Sequence, residues 1–535
     1  MARLAAFFMI LDGWKRFFAA FASGALASLA LPPLGAWPVL FVAFPALVWL
    51  VDGAAGPLLG RRGRARAGFF LLHAFALGWF GLSLWWIGEA FLVDAAQYAW
   101  LMPFALVAMP AGLALFWGLA GAVAAILWPP GPSRVVLLAT TLGLAEVLRE
   151  HLFGGFPWNV PAHASVSLSP LMQMASLVGI QGLSFLVILW AAAPALLADD
   201  LARRENRRMR GLALVIIAMT ALAAAGFGIW RQNAAGKVAN RGILVRLVQP
   251  AIPQKEKWKP QNRDRIFRLL LALSAGKVKG GKPPRIIIWP ESAVPFLLDE
   301  SPTALQAIAR ILKPGQILVT GALRRTASSG PNARQLYNSI LAVNDEGRVI
   351  AVYDKRKLVP FGEYLPLAGI LEPLGVRRLV NLPGGFLTGK GDGLLRLPGL
   401  PPAEGLICYE AIFPALASRK GGARWLVNVT NDGWFGRSFG PWQHLAAARF
   451  RAIEQGLPMA RVANTGISAL VGPLGRLQGA LGLFQRGVLD VLLPPALTPP
   501  PHARWGAWPV VTGLILLLLF FTIYAAREEN TGEKS

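Results

Sequence analysis

The 535-residue sequence has a single cysteine, Cys408. One cysteine cannot form an intramolecular disulfide, so the fold cannot depend on such a bridge. A lone cysteine is ordinarily a buried packing residue. Cys408, however, follows the short apolar run Gly405–Ile407 and precedes Tyr409 and Glu410. This pattern is also typical of a buried strand that presents a nucleophile at its carboxyl end, so two interpretations of the thiol stay open at this point.

Charged residues are scarce as well. They make up 15% of the chain against 55% hydrophobic residues, and the mean hydropathy is +0.49. This composition excludes an ordinary soluble protein of this length and indicates several membrane spans. Acidic residues are scarcer than basic ones, 28 against 53, and the net charge is +25. The excess suits an anionic lipid surface better than nucleic acid, and we expect no nucleic-acid partner.

Only five histidines occur, and no spacing among them predicts a metal site, so we expect no metal and no cofactor. Residues 1–230 predict a helical membrane domain with seven spans, and residues 508–525 an eighth, followed by a tail at 526–535. The predicted spans are Phe17–Leu31, Trp37–Val51, Ala67–Ile87, Ala99–Leu127, Val135–Leu148, Leu171–Ala198, Leu212–Ile229 and Trp508–Tyr524.

Basic residues alternate between the loops that join these spans. One side receives clusters such as Arg61–Arg66 and Arg203–Arg210, whereas the short opposite loops hold only Arg149. The positive-inside rule therefore predicts that both termini are cytoplasmic. Seven spans then place residues 231–507 outside the cytoplasmic membrane, on the periplasmic side of a bacterial inner membrane.

Residues 231–507 differ in kind from the spans, because short β-type runs alternate there with helical stretches, which favours a layered α/β domain. The predicted strands are Ile243–Val248, Arg285–Trp289, Gln316–Thr320, Ser339–Val343, Val349–Tyr353, Leu406–Ile407 and Trp425–Val429. The predicted helices are Arg263–Ser274, Thr303–Leu312 and Gln443–Glu454.

Three of these strands end at a reactive side chain. Glu291 follows the strand ending at Trp289, Lys355 follows the one ending at Tyr353, and Cys408 follows Ile407. Sites in open α/β sheets form at the carboxyl ends of strands. A carboxylate can take a thiol proton, an ammonium can stabilise a thiolate or an oxyanion, and the thiol can attack an acyl carbonyl. Singly, each residue could instead be a helix-start carboxylate, a surface lysine or a core thiol.

A Glu, a Lys and a Cys at three strand ends resemble the triad of the nitrilase superfamily, whose fold is a four-layer αββα sandwich. Longer motifs resemble the apolipoprotein N-acyltransferase family within it, which places a nitrilase-like domain before the last of eight spans. They are WPES at Trp289–Ser292, KLVPFGEYLP at Lys357–Pro366, CYE at Cys408–Glu410, NVTNDGWFG at Asn428–Gly436 and GGFPWN at Gly154–Asn159.

The resemblance implies that Glu291 is the general base, Lys355 the electrostatic stabiliser and Cys408 the nucleophile. It also implies supporting or substrate-binding roles, against the alternatives of turn, packing or surface residues. The supporting residues are Glu363, Tyr409, Glu410, Trp258, Asn431, Asp432, Trp434 and Phe435. Gln443 and His444 we interpret as structural.

The activity that the resemblance implies is transfer of a fatty acyl chain from a membrane phospholipid, through a Cys thioester, to an apolipoprotein. The acceptor is the α-amine of its N-terminal S-diacylglyceryl cysteine. A membrane-tethered amidohydrolase of the same superfamily, with water as acceptor, is the alternative, and a non-enzymatic transporter or scaffold is a third class. We expect a monomer.

Overall fold

A computed structural model describes residues 1–56, 59–201, 207–235, 242–278, 281–325, 335–373, 378 and 385–532. The chain forms two compact units. The helical unit comprises Met1–Trp85, Pro103–Ala234 and Arg504–Ser535, and the sheet unit comprises Trp86–Met102 and Ala235–Ala503. Part of one predicted basic cluster, Arg203 and Arg204, lies outside the described residues.

Eighteen α-helices occur in the described ranges. In chain order they are α1 Ala2–Ile10, α2 Gly13–Ser28, α3 Leu40–Ala54, α4 Arg61–Ser83, α5 Gly88–Phe91, α6 Ala95–Tyr98, α7 Met102–Ile126, α8 Ser133–His151, α9 Ser169–Met172, α10 Ala175–Ala192, α11 Arg207–Ala235, α12 Gln254–Lys257, α13 Arg263–Ala275, α14 Pro302–Ile311, α15 Ala368–Leu371, α16 Gly440–Gln455, α17 Pro501–Trp505 and α18 Trp508–Gly532.

Glycines allow close packing of helices in the helical unit. A Cβ at Gly24 of α2 would lie 1.8 Å from the carbonyl oxygen of Phe75 in α4, and one at Gly78 would lie 2.0 Å from that of Phe21. Gly68 of α4 and Gly121 of α7 have the same relation. Small residues at such crossings let helix backbones approach closely. Helices in membranes associate in this way, because lipid supplies no hydrophobic driving force between them.

Six helical segments in the described part are long and apolar enough to cross a membrane. They are Trp37–Ala54, Arg61–Ser83, Ala95–Ile126, Ala175–Ala198, Arg208–Ala234 and Trp508–Arg527. The other two predicted spans also coincide with helices. Of these, α2 has only 16 residues, and α8 buries four charged side chains, Arg134, Glu146, Arg149 and Glu150. The chain therefore carries several apolar helices, as its composition predicts.

The described part of the sheet unit contains two six-stranded sheets. The first has the order β12-β1-β2-β3-β4-β5, and the second the order β11-β10-β9-β8-β7-β6. The strands are β1 Ile243–Gln249, β2 Ile286–Trp289, β3 Ile317–Arg325, β4 Leu336–Asn344, β5 Val349–Asp354, β6 Leu394–Leu395, β7 Ala403–Ile407, β8 Trp425–Thr430, β9 Met459–Ala463, β10 Ser468–Val471, β11 Leu477–Leu481 and β12 Gly487–Leu493. Both sheets are mixed: β1, β2 and β3 are parallel, as are β7, β8 and β9, whereas their outer neighbours pair antiparallel.

The two faces of each sheet are both apolar, for a reason visible in β2. Ile286 and Ile288 point into a core shared by the two sheets, which Ile407 and Val427 enter from the other side. Ile287 and Trp289 point outward to the α13 and α14 side chains Ile266, Leu270 and Ile308. A strand covered on both faces has no polar face, so its sequence is a continuous apolar run. With α16 packed on the second sheet, the layers are helix, sheet, sheet and helix.

All seven predicted strands and the three predicted helices are present, with ends shifted by a few residues. Five further strands, β6 and β9 to β12, escape the sequence analysis. Three of these five have weak patterns for identifiable reasons, because β6 has two residues, β9 carries the buried Arg461 in its centre, and β11 is mostly exposed.

Candidate active site

The three reactive side chains of the sequence analysis lie at the carboxyl ends of strands in two different sheets. Glu291 follows β2 and Lys355 follows β5 in the first sheet, and Cys408 follows β7 in the second. All three are buried, with 7%, 1% and 9% exposure. Because the sheets pack face to face, the structure brings residues that are 117 positions apart in sequence into one cluster.

Lys355 lies between two carboxylates. Its Nζ is 2.8 Å from Oε1 of Glu363 and 3.8 Å from Oε1 of Glu291. Asn338 on β4 joins the same two groups, because its Nδ2 donates to Glu291 at 2.8 Å and to Glu363 at 3.1 Å. Glu363 also accepts from the backbone N–H of Val359 at 2.9 Å. These contacts fix both carboxylates before any substrate binds.

Opposing charges decide the protonation of the lysine. Burial would lower the pKa of Lys355, but Glu363, Glu291 and Cys408 outweigh burial and raise the pKa above its ordinary value. Lys355 is therefore a permanent ammonium at neutral pH. A fixed cation at this point can stabilise negative charge that develops on a bound carbonyl oxygen.

The thiol is protonated in the resting site. Burial raises the pKa of Cys408, the Glu291 carboxylate raises it further, and Lys355 only partly opposes them. The thiol proton must therefore leave as the sulfur attacks, which needs an adjacent base. The backbone of Cys408 has φ of +49°, in the left-handed region that few side chains other than glycine adopt.

A second buried lysine, which the sequence analysis missed, contacts the same site. Nζ of Lys257 in α12 donates to the backbone carbonyl of Glu291 at 3.0 Å, and the side chain is 1% exposed. Burial lowers the pKa of Lys257 to about 8, although Glu291 and Cys408 act to raise it. The only sequence signal is its place directly before Trp258, in a segment that also contains Lys255 and Lys259.

Glu410 holds together the loops that carry Lys355 and Cys408. Its fully buried carboxylate accepts from the backbone N–H groups of Arg356 and Ile407, each at 2.7 Å, and of Lys357 at 3.1 Å. The Tyr353 hydroxyl donates to it at 2.7 Å. Burial raises the pKa of Glu410, and these donors oppose that shift. The carboxylate thereby ties the turn after β5 to the turn after β7.

The remaining predicted residues surround this centre at different depths. Buried Asn431 donates to Gln254 at 2.8 Å and accepts from Asn464 at 3.1 Å. Tyr409 is buried edge-to-face against Phe413, with ring centroids 5.0 Å apart. The more exposed residues are Trp258, which is 39% exposed, and Trp434 and Phe435, which are half-buried.

His444, which the sequence analysis interpreted as structural, and Asp432, which it gave a supporting role by resemblance, form a buried cluster next to Cys408. His444 of α16 lies 2.8 Å from Oδ1 of Asp432 and 3.0 Å from the carbonyl oxygen of Cys408. Ligand-type atoms of Cys408, Asp432 and His444 lie within 4.8 Å of one another. Both imidazole nitrogens already have hydrogen-bond partners, and Arg461 contacts the carboxylate, so these groups fit a hydrogen-bonded support better than a metal site.

Residues 244–499 match the family model described as Carbon-nitrogen hydrolase. The sheet unit thus has the fold of that class, two mixed sheets between helices, with the candidate site at strand ends. An amidase from Nesterenkonia sp. is 20% identical and covers 48% of this chain and 92% of its own, with a TM-score of 0.35. At that score the likeness carries no weight, and the family model defines the class.

Residues 23–193 match a second model, the Apolipoprotein N-acyltransferase N-terminal domain. A Brucella suis apolipoprotein N-acyltransferase is 43% identical over 530 residues, covering 97% of each chain. One from Rhodopseudomonas palustris is 42% identical over 532 residues, again covering 97% of each. The chain belongs to the apolipoprotein N-acyltransferase family, and it is an acyltransferase. The family that the motifs predicted is confirmed.

Proposed function

We propose that the protein transfers a fatty acyl chain from a membrane phospholipid to the α-amine of the N-terminal S-diacylglyceryl cysteine of apolipoproteins. The family relationship supports the reaction class and the lipoprotein acceptor. The observation that carries the mechanism is the single thiol of the chain, buried beside the Glu291 carboxylate and the Lys355 ammonium.

In the first half-reaction, Glu291 takes the thiol proton while the Cys408 sulfur attacks the ester carbonyl of the phospholipid. Lys355 stabilises the oxyanion that forms, and Glu363 and Asn338 hold Lys355 and Glu291 in place. When the carbonyl re-forms, the ester C–O bond breaks, Glu291 returns its proton to the leaving alkoxide, and lysophospholipid departs. The acyl chain remains on sulfur as a thioester.

In the second half-reaction, the neutral α-amine of the apolipoprotein attacks the thioester carbonyl. Glu291 accepts a proton from the attacking nitrogen and passes it to the departing thiolate, so an amide forms and the Cys408 thiol is regenerated. Partly exposed aromatic side chains, Trp258, Trp434 and Phe435, suit the entrance of a site that must take two lipid substrates and exclude water.

Eight spans, both termini in the cytoplasm and the catalytic domain on the periplasmic side of the inner membrane complete the proposal. The domains are then residues 1–230, 231–507 and 508–525, with a cytoplasmic tail at 526–535 and a monomer as the working unit. The alternation of basic loops supports this orientation. The helices long and apolar enough to cross a membrane support a multi-pass protein.

The proposal is tested by mass spectrometry of purified enzyme mixed with phospholipid alone. Cys408 should gain the mass of one acyl chain, with a matching amount of lysophospholipid, and hydroxylamine should remove it because a thioester is labile. A peptide with an N-terminal diacylglyceryl cysteine should discharge the adduct onto its α-amine, and its N-acetylated form should not. An adduct that decays equally fast with or without peptide would establish the hydrolase instead.

Substitutions separate the roles of the three groups. Cys408→Ala should abolish the adduct, and Cys408→Ser should be nearly inactive because a hydroxyl is far less acidic than a thiol. Glu291→Gln and Lys355→Ala should each slow adduct formation by several orders of magnitude, as expected for members of one catalytic unit. Near-normal acylation by Lys355→Ala would show that the lysine is not part of the site.

A further inference from the structure

The backbone of Cys408 needs support that the Glu-Lys-Cys cluster does not supply. Its φ of +49° is costly for a residue with a Cβ, so neighbouring contacts must hold it in this conformation. The direction of the thiol depends on that backbone, because the backbone sets the position of Cβ, from which Sγ extends in one of a few staggered rotamers. A group that fixes the peptide after Cys408 therefore aims the nucleophile.

His444 makes such a contact. Its Nε2 lies 3.0 Å from the carbonyl oxygen of Cys408, and the ring is fully buried. A carbonyl oxygen only accepts hydrogen bonds, so Nε2 must carry a proton for this contact to be favourable. The other ring nitrogen, Nδ1, lies 2.8 Å from Oδ1 of Asp432 and 3.2 Å from Nη2 of Arg461.

An acceptor faces each ring nitrogen, Oδ1 of Asp432 at Nδ1 and the carbonyl oxygen of Cys408 at Nε2. A charged imidazole donates from both nitrogens, to Asp432 and to Cys408. Burial and Arg461 lower the pKa of His444, which favours the neutral ring, while Asp432 opposes them. In the neutral tautomer that carries its proton on Nε2, Nδ1 can accept from Nη2 of Arg461, and the hydrogen bond to the Cys408 carbonyl persists.

Asp432 links His444 to the thiol by a second route. The Thr430 hydroxyl donates to Oδ1 of Asp432 at 2.9 Å, and Thr430 also acts to lower the pKa of the Cys408 thiol, against the larger effect of burial. Burial would raise the pKa of Asp432, but Arg461 and His444 outweigh it and lower the pKa to about 2. The carboxylate is thus ionised throughout the working range, and Arg461 holds its Oδ2 at 2.9 Å. Residues at the end of β8, on α16 and on β9 thus form one cluster. It reaches the backbone carbonyl of Cys408 through His444 and the thiol side of Cys408 through Thr430.

We propose that His444, held by Asp432 and Arg461, is a positioning residue that fixes the Cys408 carbonyl and thereby aims the thiol at its base and at the acyl carbon. The proposal rests on Cys408 being the nucleophile of the proposed function. His444 touches no substrate and acts through Cys408.

The test compares four variants of the full-length enzyme: His444→Leu, His444→Gln, His444→Asn and His502→Leu. A Gln amide nitrogen can occupy the position of Nε2, whereas the shorter Asn reaches only that of Nδ1. His502 is the matched control, because it is another buried histidine of the sheet unit and its electrostatic partners are Glu454 and Arg451. Thermal unfolding in detergent reports whether each variant is folded.

The first readout is acyl-enzyme formation from phospholipid. His444→Leu and His444→Asn should lower its maximal rate on the order of 100-fold, as a misplacement of about 1 Å does, with the phospholipid concentration for half-maximal rate unchanged. His444→Gln should recover most of the rate, and His502→Leu should match wild type. A folded His444→Leu with a near-normal rate would overturn the proposal. If that variant does not fold, equal rates for Gln and Asn would overturn it instead.

The second readout needs no acyl transfer, so it separates a failure of this proposal from a failure of the proposed function. Cys408 is the only cysteine, so its alkylation by iodoacetamide is read without a background. If the thiol is no longer directed at its base, alkylation at neutral pH should be slower in His444→Leu and His444→Asn. The rate should recover in His444→Gln. General loosening of the fold would instead expose the thiol and speed alkylation, and that outcome, like an unchanged rate, counts against positioning.

Discussion

Two lysines beside the candidate nucleophile have opposite surroundings. Lys355 has two carboxylates within 3.8 Å of its Nζ, whereas Nζ of Lys257 donates a hydrogen bond to a backbone carbonyl. The pKa of Lys355 is therefore raised, and burial lowers that of Lys257 to about 8. The same side chain is a fixed charge in one place and a group that titrates near neutrality in the other.

The low pKa of Lys257 predicts a pH dependence of stability. Between pH 8 and the ordinary lysine pKa of 10.5, the unfolded chain keeps a proton that the folded chain has lost. The contribution of Lys257 to the free energy of unfolding therefore increases as pH rises. Below pH 8 both states hold the proton and the contribution is constant. The free energy of unfolding of wild type, relative to Lys257→Met, should rise by roughly 3 kcal/mol across this window.

Denaturant unfolding of the two proteins in detergent at several pH values between 7 and 10.5 measures this difference. Lys259→Met is the matched control, because Lys259 comes from the same segment and its side chain is 46% exposed. Its difference from wild type should be flat with pH. A flat difference for Lys257→Met as well would show that Lys257 keeps its ordinary pKa in the fold.

At the scale of elements, the turns that carry the reactive groups contain left-handed residues that are not glycine. Ser292 follows Glu291 with φ of +44°, Cys408 itself has +49°, and Phe361 precedes Gly362-Glu363 with +61°. Such backbone persists only where surrounding contacts hold it. Around Cys408, Glu410 accepts from the backbone N–H of Ile407 and His444 contacts the Cys408 carbonyl oxygen. Around Glu291, β3 provides such contacts.

Gly321 of β3 is the contact that positions the turn after β2. Its carbonyl accepts from the N–H of Ala293 at 2.8 Å, and a Cβ at Gly321 would lie 2.5 Å from Cα of Glu291 and 2.6 Å from the carbonyl oxygen of Pro290. These neighbours are backbone atoms, so Gly321→Ala must displace the candidate base. We expect acyl-enzyme formation to fall on the order of 100-fold.

Rapid-quench mass spectrometry of the acyl-enzyme measures this effect. Gly487→Ala, at the start of β12, is the control, because the nearest atom to its new Cβ would be Leu481 Cδ2 at an ordinary 3.7 Å. That variant should acylate at the wild-type rate. Equal rates for both alanine variants would mean that the position of the Glu291 backbone does not limit the reaction.

At the scale of the whole molecule, charge and apolar length act together. Residues 231–507 carry 37 basic and 16 acidic residues, which suits a domain held against anionic headgroups. The helices before and after it that are long enough to cross a membrane, Arg208–Ala234 and Trp508–Arg527, would anchor both of its ends.

Reporter fusions test the orientation. Alkaline phosphatase, which is active only outside the cytoplasm, should be active when fused after Asn233 and inactive when fused after Arg208 or Arg527. The physical reason is that basic loops are retained on the cytoplasmic side. The reverse pattern of activity would place the catalytic domain in the cytoplasm and contradict the proposed topology.

Local sequence patterns were sufficient to predict most of the helices and strands discussed above and the three reactive residues. The apolar runs predicted helices at all eight proposed spans, and seven runs predicted strands, because burial on both faces leaves a continuous hydrophobic signal in the sequence. Glu291, Lys355 and Cys408 were recognisable because each interrupts such a run at its carboxyl end. The family motifs were contiguous, and they too could be read without a fold.

Only the tertiary structure decided what surrounds those residues. Asn338 contacts both carboxylates, Lys257 contacts the Glu291 carbonyl and His444 contacts the Cys408 carbonyl. The residues in these contacts are 25 to 47 positions apart in sequence. A buried lysine and a surface lysine have the same letter in the sequence. What distinguishes Lys257 from Lys259 is the desolvation and the partner that folding supplies, and these depend on which strands and helices meet.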